Sequence, residues 1–438
     1  MRLNCPARMS NSRRNNRRSM PMRTCLTALC TIGLTTALFA QEDLRTQWTY
    51  RNGRDSAEGH FKKLDGAEWT EKLPNGGSCT FKEIDRNDEF IEIYDSKRGQ
   101  VWVRLYATMS LWKHPEHTKG EWRMLFDGKW SKLAQNRVKH RIEYHSPKRV
   151  TGVWTIQADS DDEVKAWQIV AAKATELPFQ RGSKTMVTPP GKDLTTNKLS
   201  VGLFDPVEDG QRRRLTVVIT HQATISARRL VDLRAGEKPP VIDALAKSEC
   251  DLFLESNKVI DYRDSAFQQW LEQKKLRCRA GESSIELGRR TFAEILTQFQ
   301  YKAVFGALRP TSKTCQLKEA DCDSMSSVFV AAMRSNGIPA RLLAGKTLRS
   351  RYEKEVVGHA RAEFFVDGIG WIPVDPAFAK NAQQPAEHFA NDRGDLFVFC
   401  TDDRIFSANI IGFSKKSGRK LGEGTKLTQK SWVVRSEP

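Results

Sequence analysis

Residues 321–341 read Asp321-Cys-Asp-Ser-Met-Ser-Ser-Val-Phe-Val-Ala-Ala-Met-Arg-Ser-Asn-Gly-Ile-Pro-Ala-Arg341. Met325, Val328, Phe329, Ala332 and Met333 fall at i, i+3, i+4, i+7 and i+8, the spacing that lines apolar side chains along one face of an α-helix. Gly337 and Pro339 stop such a helix, one by accepting a left-handed turn and the other by lacking an N–H. The spacing predicts an amphipathic helix with Cys322 at its N-terminus. Free N–H groups and the positive end of the helix dipole favour thiolate over thiol there. Taken by itself, Cys322 reads more readily as a buried or disulfide-bonded structural cysteine.

Two later segments change that reading. Gly358-His-Ala-Arg-Ala-Glu-Phe-Phe-Val366 and Gly370-Trp-Ile-Pro-Val-Asp-Pro376 both read as strands, joined by the tight connection Asp367-Gly-Ile-Gly370. Antiparallel pairing would set His359 beside Asp375, where the carboxylate holds the imidazole by its Nδ1–H. The other ring nitrogen then faces the thiol. Nucleophile, base and orienter are the three parts of thiol catalysis, and Cys322, His359 and Asp375 are the candidate catalytic residues.

These three segments resemble the motifs of the transglutaminase-like superfamily, which includes animal transglutaminases, peptide N-glycanases and many secreted bacterial proteins of papain-like fold. The resemblance covers roughly residues 250–400, with Cys322, His359 and Asp375 at the matching positions, 37 and 16 residues apart. It implies a thiolate that attacks a peptide bond or Gln carboxamide, a thioester intermediate, and release by water or by a Lys amine. Hydrolysis is the favoured outcome, and a protein or peptide is the expected substrate. Gln–Lys crosslinking and a non-catalytic envelope binding protein on a papain-like scaffold are the alternatives. Arg361 stands where the family commonly has Trp, which predicts a more polar, cationic groove wall beside His359. Ala320 replaces a frequent Gly. No cofactor or metal is expected, since the chain has no resemblance to an EF-hand loop, no HExxH and no CxxC pair.

Upstream the pattern is β. Residues 48–130 hold six of the eleven Trp, and Thr80–Ile84 and Phe90–Tyr94 alternate apolar with polar as half-buried strands do. Asn52-Gly53, Asn75-Gly76 and Asp127-Gly128 read as turns. A small all-β, SH3-like module of five to seven strands is expected over 41–134, with Trp residues filling its core as the favoured reading and an aromatic binding face as the alternative. Strands at 138–144, 150–158, 166–172 and 215–220 predict a second β-rich domain over 135–240, and Ala235–Pro240 reads as a linker. Helices are expected from Ser265 and from Ser283 or Ser284. The fold class is therefore α+β: a papain-like transglutaminase core of helix on antiparallel sheet over 245–430, preceded by two β-rich modules.

Residues 1–40 hold seven Arg and no acid, and an apolar run from Cys25 to Ala40 precedes Gln41-Glu42-Asp43. A basic start, a short apolar core and a small residue at the break describe a signal peptide cleaved near Ala40, hence a secreted or periplasmic protein with no membrane span after its removal. Taking those seven Arg from the formal net charge of +18 leaves +11, spread among acidic neighbours rather than in a basic block. That argues against a nucleic-acid footprint and leaves an acidic cell-envelope polymer as a candidate partner for the N-terminal module. Six cysteines follow the signal, enough for one or two disulfides if Cys322 stays free.

Overall fold

The computed structural model describes residues 43, 45–51, 58–131, 138–160, 164–190, 192–193, 199–204, 214–303, 309–348, 358–402, 409–414 and 425–437. The expected signal peptide and the Asn52-Gly53 turn lie outside these residues.

Eight short strands, Gln47–Arg51 (β1), Glu58–Lys63 (β2), Glu68–Lys72 (β3), Ser78–Arg86 (β4), Ile91–Asp95 (β5), Val101–Leu105 (β6), Met109–Lys113 (β7) and Arg123–Trp130 (β8), close into a barrel in chain order. This exceeds the expected five to seven, because most of the strands are only five or six residues long and such short runs carry little periodicity. Asn75-Gly76 is a turn, with Gly76 at φ +87°. Asp127-Gly128 is not: both residues lie inside β8. A Cβ on Gly128 would sit 2.4 Å from the Thr49 carbonyl oxygen and from the Trp48 ring, so this glycine serves a close approach of strand and indole rather than a turn. Trp48, Trp69 and Trp130 join Tyr50, Phe61, Phe81, Ile91, Ile93, Val103 and Leu105 in the barrel core. The Trp48 indole N–H donates to the Tyr106 carbonyl and that of Trp69 to Glu83, both at 2.8 Å, so these buried donors are satisfied.

The next region is a long ribbon with shorter strands around it: His140–Ser160 (β9), Val164–Ala172 (β10), Gln180–Thr188 (β11), Lys192–Asp193 (β12), Leu199–Phe204 (β13) and Arg214–Asp232 (β14). The segments 138–144 and 150–158, expected as two strands, are parts of one. It pairs with β14 from Asp159↔Arg214 to His140↔Asp232, with a register shift near Ile225.

Past Ala235–Pro240, which has no helix or strand, the chain turns helical: Lys247–Leu252 (α1), Ser265–Gln273 (α2), Ser284–Gln298 (α3), Gln300–Tyr301 (β15), Thr311–Leu317 (α4), Glu319–Ala320 (β16) and Cys322–Ser335 (α5). Asp264 rather than Ser265 caps α2. Ser283 caps α3 in a reciprocal box with Glu286. Then come Ala340–Thr347 (β17), Gly358–Val366 (β18), Gly370–Val374 (β19), Pro376–Lys380 (α6), Asn391–Asp392 (β20) and Leu396–Thr401 (β21), with an antiparallel sheet in the order β19-β18-β17-β21. Helix α5 shares an apolar core with this sheet: Met325, Val328, Phe329, Ala332 and Met333 join Ala362, Phe364, Ile372 and Val374. The expected amphipathic helix is buried on every side from Ser324 to Arg334, so its polar residues needed partners. Ser326 donates to the Ala360 carbonyl at 3.3 Å, and Arg334 to those of Ala340 and Glu255 at 2.8 Å.

Two further strands, Asn409–Ser414 (β22) and Thr425–Glu437 (β23), return to pair with β10 and β9. The chain beyond 408 thus completes the sheets of the ribbon region, where the sequence had suggested a core running on to 430. Residues Leu44–Pro438 form one compact unit because apolar cores cross the expected boundaries. Phe90, Tyr106, Met109, Leu111, Trp122 and Met124 of the barrel pack with Phe253, Leu254, Phe365 and Trp371, and β21 shares a core with β9, β10 and β14.

Candidate active site

Asp321 accepts a hydrogen bond from the Ser324 N–H at 2.9 Å and so caps α5, which fixes Cys322 in the first turn, half-buried. None of the six described cysteines is bridged. On the sheet side, β18 and β19 pair from Ala362↔Val374 to Val366↔Gly370. This register carries His359 at the start of β18 to Asp375 just past the end of β19. The expected juxtaposition is present: His359 Nε2 lies 2.8 Å from Asp375 Oδ2, with both side chains buried. The expected nitrogen differs. Asp375 meets Nε2 instead of Nδ1, because the ring reaches the carboxylate by its far edge. The Cys322 sulfur is near enough to act on the same imidazole and raise it. The Phe378 ring stacks on His359 at 4.1 Å between centroids, and Phe378 N–H donates to Asp375 Oδ1 at 3.0 Å.

Burial works against charge on His359, but the Asp375 carboxylate and the Cys322 sulfur outweigh it and raise the imidazole to about 9. Asp375 is likewise buried, yet His359 and Arg361 hold its carboxyl well below the usual range. A sulfur, an imidazole held as its cation and an ionised carboxylate gathered at one site are suited to proton transfer during acyl chemistry.

Arg361 does not form a groove wall. It is buried beneath the site, donating from Nε to Asp375 Oδ2 at 2.8 Å and from Nη1 to Asp392 Oδ1 at 2.6 Å, and it also bonds Asp395. Asp392 lies 3.3 Å from Arg228 of β14, Arg228 lies 2.7 Å from Glu363, and Glu363 accepts from Arg341 at 2.6 Å. Three guanidiniums here face four carboxylates, so a protonated His359 completes the charge balance. The sequence carries a signal for this lattice beyond the three motif residues. His359, Arg361 and Glu363 alternate along β18 and therefore share one face, an unusual run of ionisable groups for a buried strand. Asp392 and Asp395 bracket Gly394, whose φ of +63° marks the turn that brings them under the site. Tyr301, half-exposed, borders the same centre: burial raises its hydroxyl, as do the nearby Cys322 and Asp321 charges.

The family model of the transglutaminase-like superfamily matches residues 274–376. This segment is transglutaminase-like. It contains Cys322, His359, Arg361 and Asp375, whereas Asp392 and Asp395 lie beyond it. An uncharacterized protein of Haemophilus influenzae is 30% identical over a region covering 23% of this chain and 32% of that protein, so the chain spans about a third of the length of the curated relative it matches. Among solved structures, a candidate cysteine protease from Cytophaga hutchinsonii aligns at 14% identity and TM-score 0.43, over 68% of this chain and 92% of that one. The periplasmic domain of TgpA from Pseudomonas aeruginosa aligns at 14% identity and TM-score 0.28, over 53% and 90%. No helix of the described residues is long and apolar enough to cross a membrane.

Proposed function

We propose that this protein is a thiol acyl-transfer enzyme in which Cys322 is the nucleophile, His359 the general acid–base and Asp375 the orienter, on a papain-like core. The observation that carries the reading is the buried imidazole held 2.8 Å from the Asp375 carboxylate, with the Cys322 sulfur near enough to act on the same ring. Sulfur attacks the carbonyl carbon of a peptide or side-chain amide, and the electron pair moves onto oxygen. The backbone N–H of Cys322, in the first helical turn, suits that oxyanion. As the tetrahedral species collapses, His359 gives its proton to the departing amine and a thioester remains. His359 then takes a proton from water, whose oxygen attacks the thioester to release acid and restore the thiolate beside the imidazolium. Exchange of water for a Lys amine gives a crosslink by the same steps. We read the enzyme as exported, acting on envelope or extracellular protein.

Alkylation with iodoacetamide at neutral pH tests the reading. Burial pushes the thiols of Cys250 and Cys278 up to about 12 and 11, and those of Cys79 and Cys315 upward as well, so a fast-labelling thiol is readily separated from these. Cys322 is expected to label faster than a free thiol, and His359→Ala to abolish the difference. Labelling at the free-thiol rate in both proteins sinks the enzyme reading in favour of a binding protein. Mass spectrometry of protein substrates, wild type against Cys322→Ala, then separates cleaved peptides from isopeptide links.

A further inference from the structure

A second cavity of about 670 Å³ lies where residues of the barrel region meet α2 and the end of α5. It is remote from the thiol: Ser335, the last residue of α5, lines it, and a helix of that length spans about 20 Å. Four cations, Lys113, Lys119, Arg263 and Arg277, face it with a single carboxylate, Glu272. Arg277 donates to Glu272 at 2.7 Å and to Ser335 Oγ at 3.1 Å. Arg263 lies 2.9 Å from Glu121, whose other oxygen is already 2.6 Å from Arg123.

The two lysines differ from the arginines. Among the described residues neither forms an ion pair. Lys113 is half-buried, its ammonium 4.6 Å from the Trp102 ring and 4.9 Å from that of Trp122. Burial, helped by the positive charge of Arg104, pushes its amine below the usual range. Indole faces stabilise an ammonium without forming an ion pair with it, and removal from water strengthens its pull on an anion. Ser335 Oγ accepts from both Arg277 and Gln268, so its own O–H is left to donate outward.

We propose that this cavity binds a phosphate group, with Lys113 and Lys119 supplying the charge and Ser335 a hydroxyl donor. The excess of cations over acid suits an anion of more than one negative charge, and ammonium groups serve phosphate as point charges. The group could arrive as a small free phosphate or on a phosphate polymer. The proposal is independent of the chemistry at Cys322.

The full chain, with Lys113→Met and Lys119→Gln variants, is titrated calorimetrically with sodium pyrophosphate and with long-chain polyphosphate. Citrate at matched ionic strength is the control, and the melting temperature is read in parallel. The wild type is expected to bind phosphate saturably, with affinity falling about tenfold in each variant as one charge-assisted contact is lost. The ligand-dependent rise in melting temperature should shrink in step. Both variants are expected to remain folded, since neither change breaks an ion pair, and unchanged Cys322 alkylation reports that. Tighter binding of polyphosphate than of pyrophosphate supports the polymer source, and the reverse supports the free one. Absence of saturable phosphate binding, equal responses in wild type and Lys113→Met, or a preference for citrate overturns the proposal.

Discussion

The barrel interior and the floor under His359 are both largely buried, yet they are built from opposite materials. The barrel is filled by aromatic and aliphatic side chains, and the buried indole donors of Trp48 and Trp69 each find an acceptor. The floor is a lattice of Arg361, Arg228 and Arg341 against Asp375, Asp392, Asp395 and Glu363. Apolar packing is non-directional and forgives small changes of shape. A buried ionic lattice gains little net stability over an apolar core, but losing one member strands the others without compensation. The difference teaches where precision is invested: the lattice fixes the position of one carboxylate oxygen, shared by His359 and Arg361, while the barrel needs only to be full.

Breaking the lattice should therefore cost most. Arg361→Met is expected to destabilise by about 3–5 kcal/mol, because it removes a buried cation shared by three carboxylates and leaves an excess of negative charge there, measured by urea denaturation. It should also slow Cys322 alkylation, whereas a merely loosened fold would not shift the pH dependence of that rate. A pH series sharpens the contrast next. His359 is raised from 6.5 to about 9 in the folded chain, so its ion pair contributes fully below about pH 6.5 and is lost as pH rises through 9. Asp375 is lowered, so its contribution is present above its ordinary range and is lost as pH falls below it. Melting temperatures from pH 6 to about 9.5 should fall more steeply for the wild type than for His359→Gln; equal slopes would remove the imidazolium from the lattice. In the barrel, Ile93→Val should cost only about 1 kcal/mol, with no change in alkylation. Smallest is Ser283→Ala, which removes one half of a capping box at an exposed helix start and should cost about 1 kcal/mol or less, seen as a small shift in the denaturation midpoint.

The same contrast explains what could be read from sequence. Local devices were legible: the helix start at Ser283 or Ser284, the helix opening at Cys322, and the strand pair that joins His359 to Asp375. Each is encoded within about twenty residues by spacing and end signals. Non-local closure was not. The strands at 409–414 and 425–437 find their partners more than 200 residues upstream, and nothing in their own alternation names that partner. Arg361 was correctly seen as a departure but assigned to a groove, because a guanidinium is expected in water unless its carboxylates are known. Two of them lie 31 and 34 positions away, in a turn without periodicity. The choice of Nε2 over Nδ1 depends on a ring rotation, which spacing does not encode.

The end of α5 opposite the thiol carries one more lesson. Gly337 sits at φ +77°, and a Cβ there would fall 2.4 Å from an atom of the Trp122 ring. Arg104, from β6, donates to the neighbouring Asn336 carbonyl at 2.6 Å. The barrel is thus a stopper on the rod that bears the nucleophile. A fragment trimmed to begin near residue 245 would uncork that rod, wetting an indole-shaped hollow and orphaning a carbonyl, so biochemists seeking a minimal reagent should keep the stopper in place.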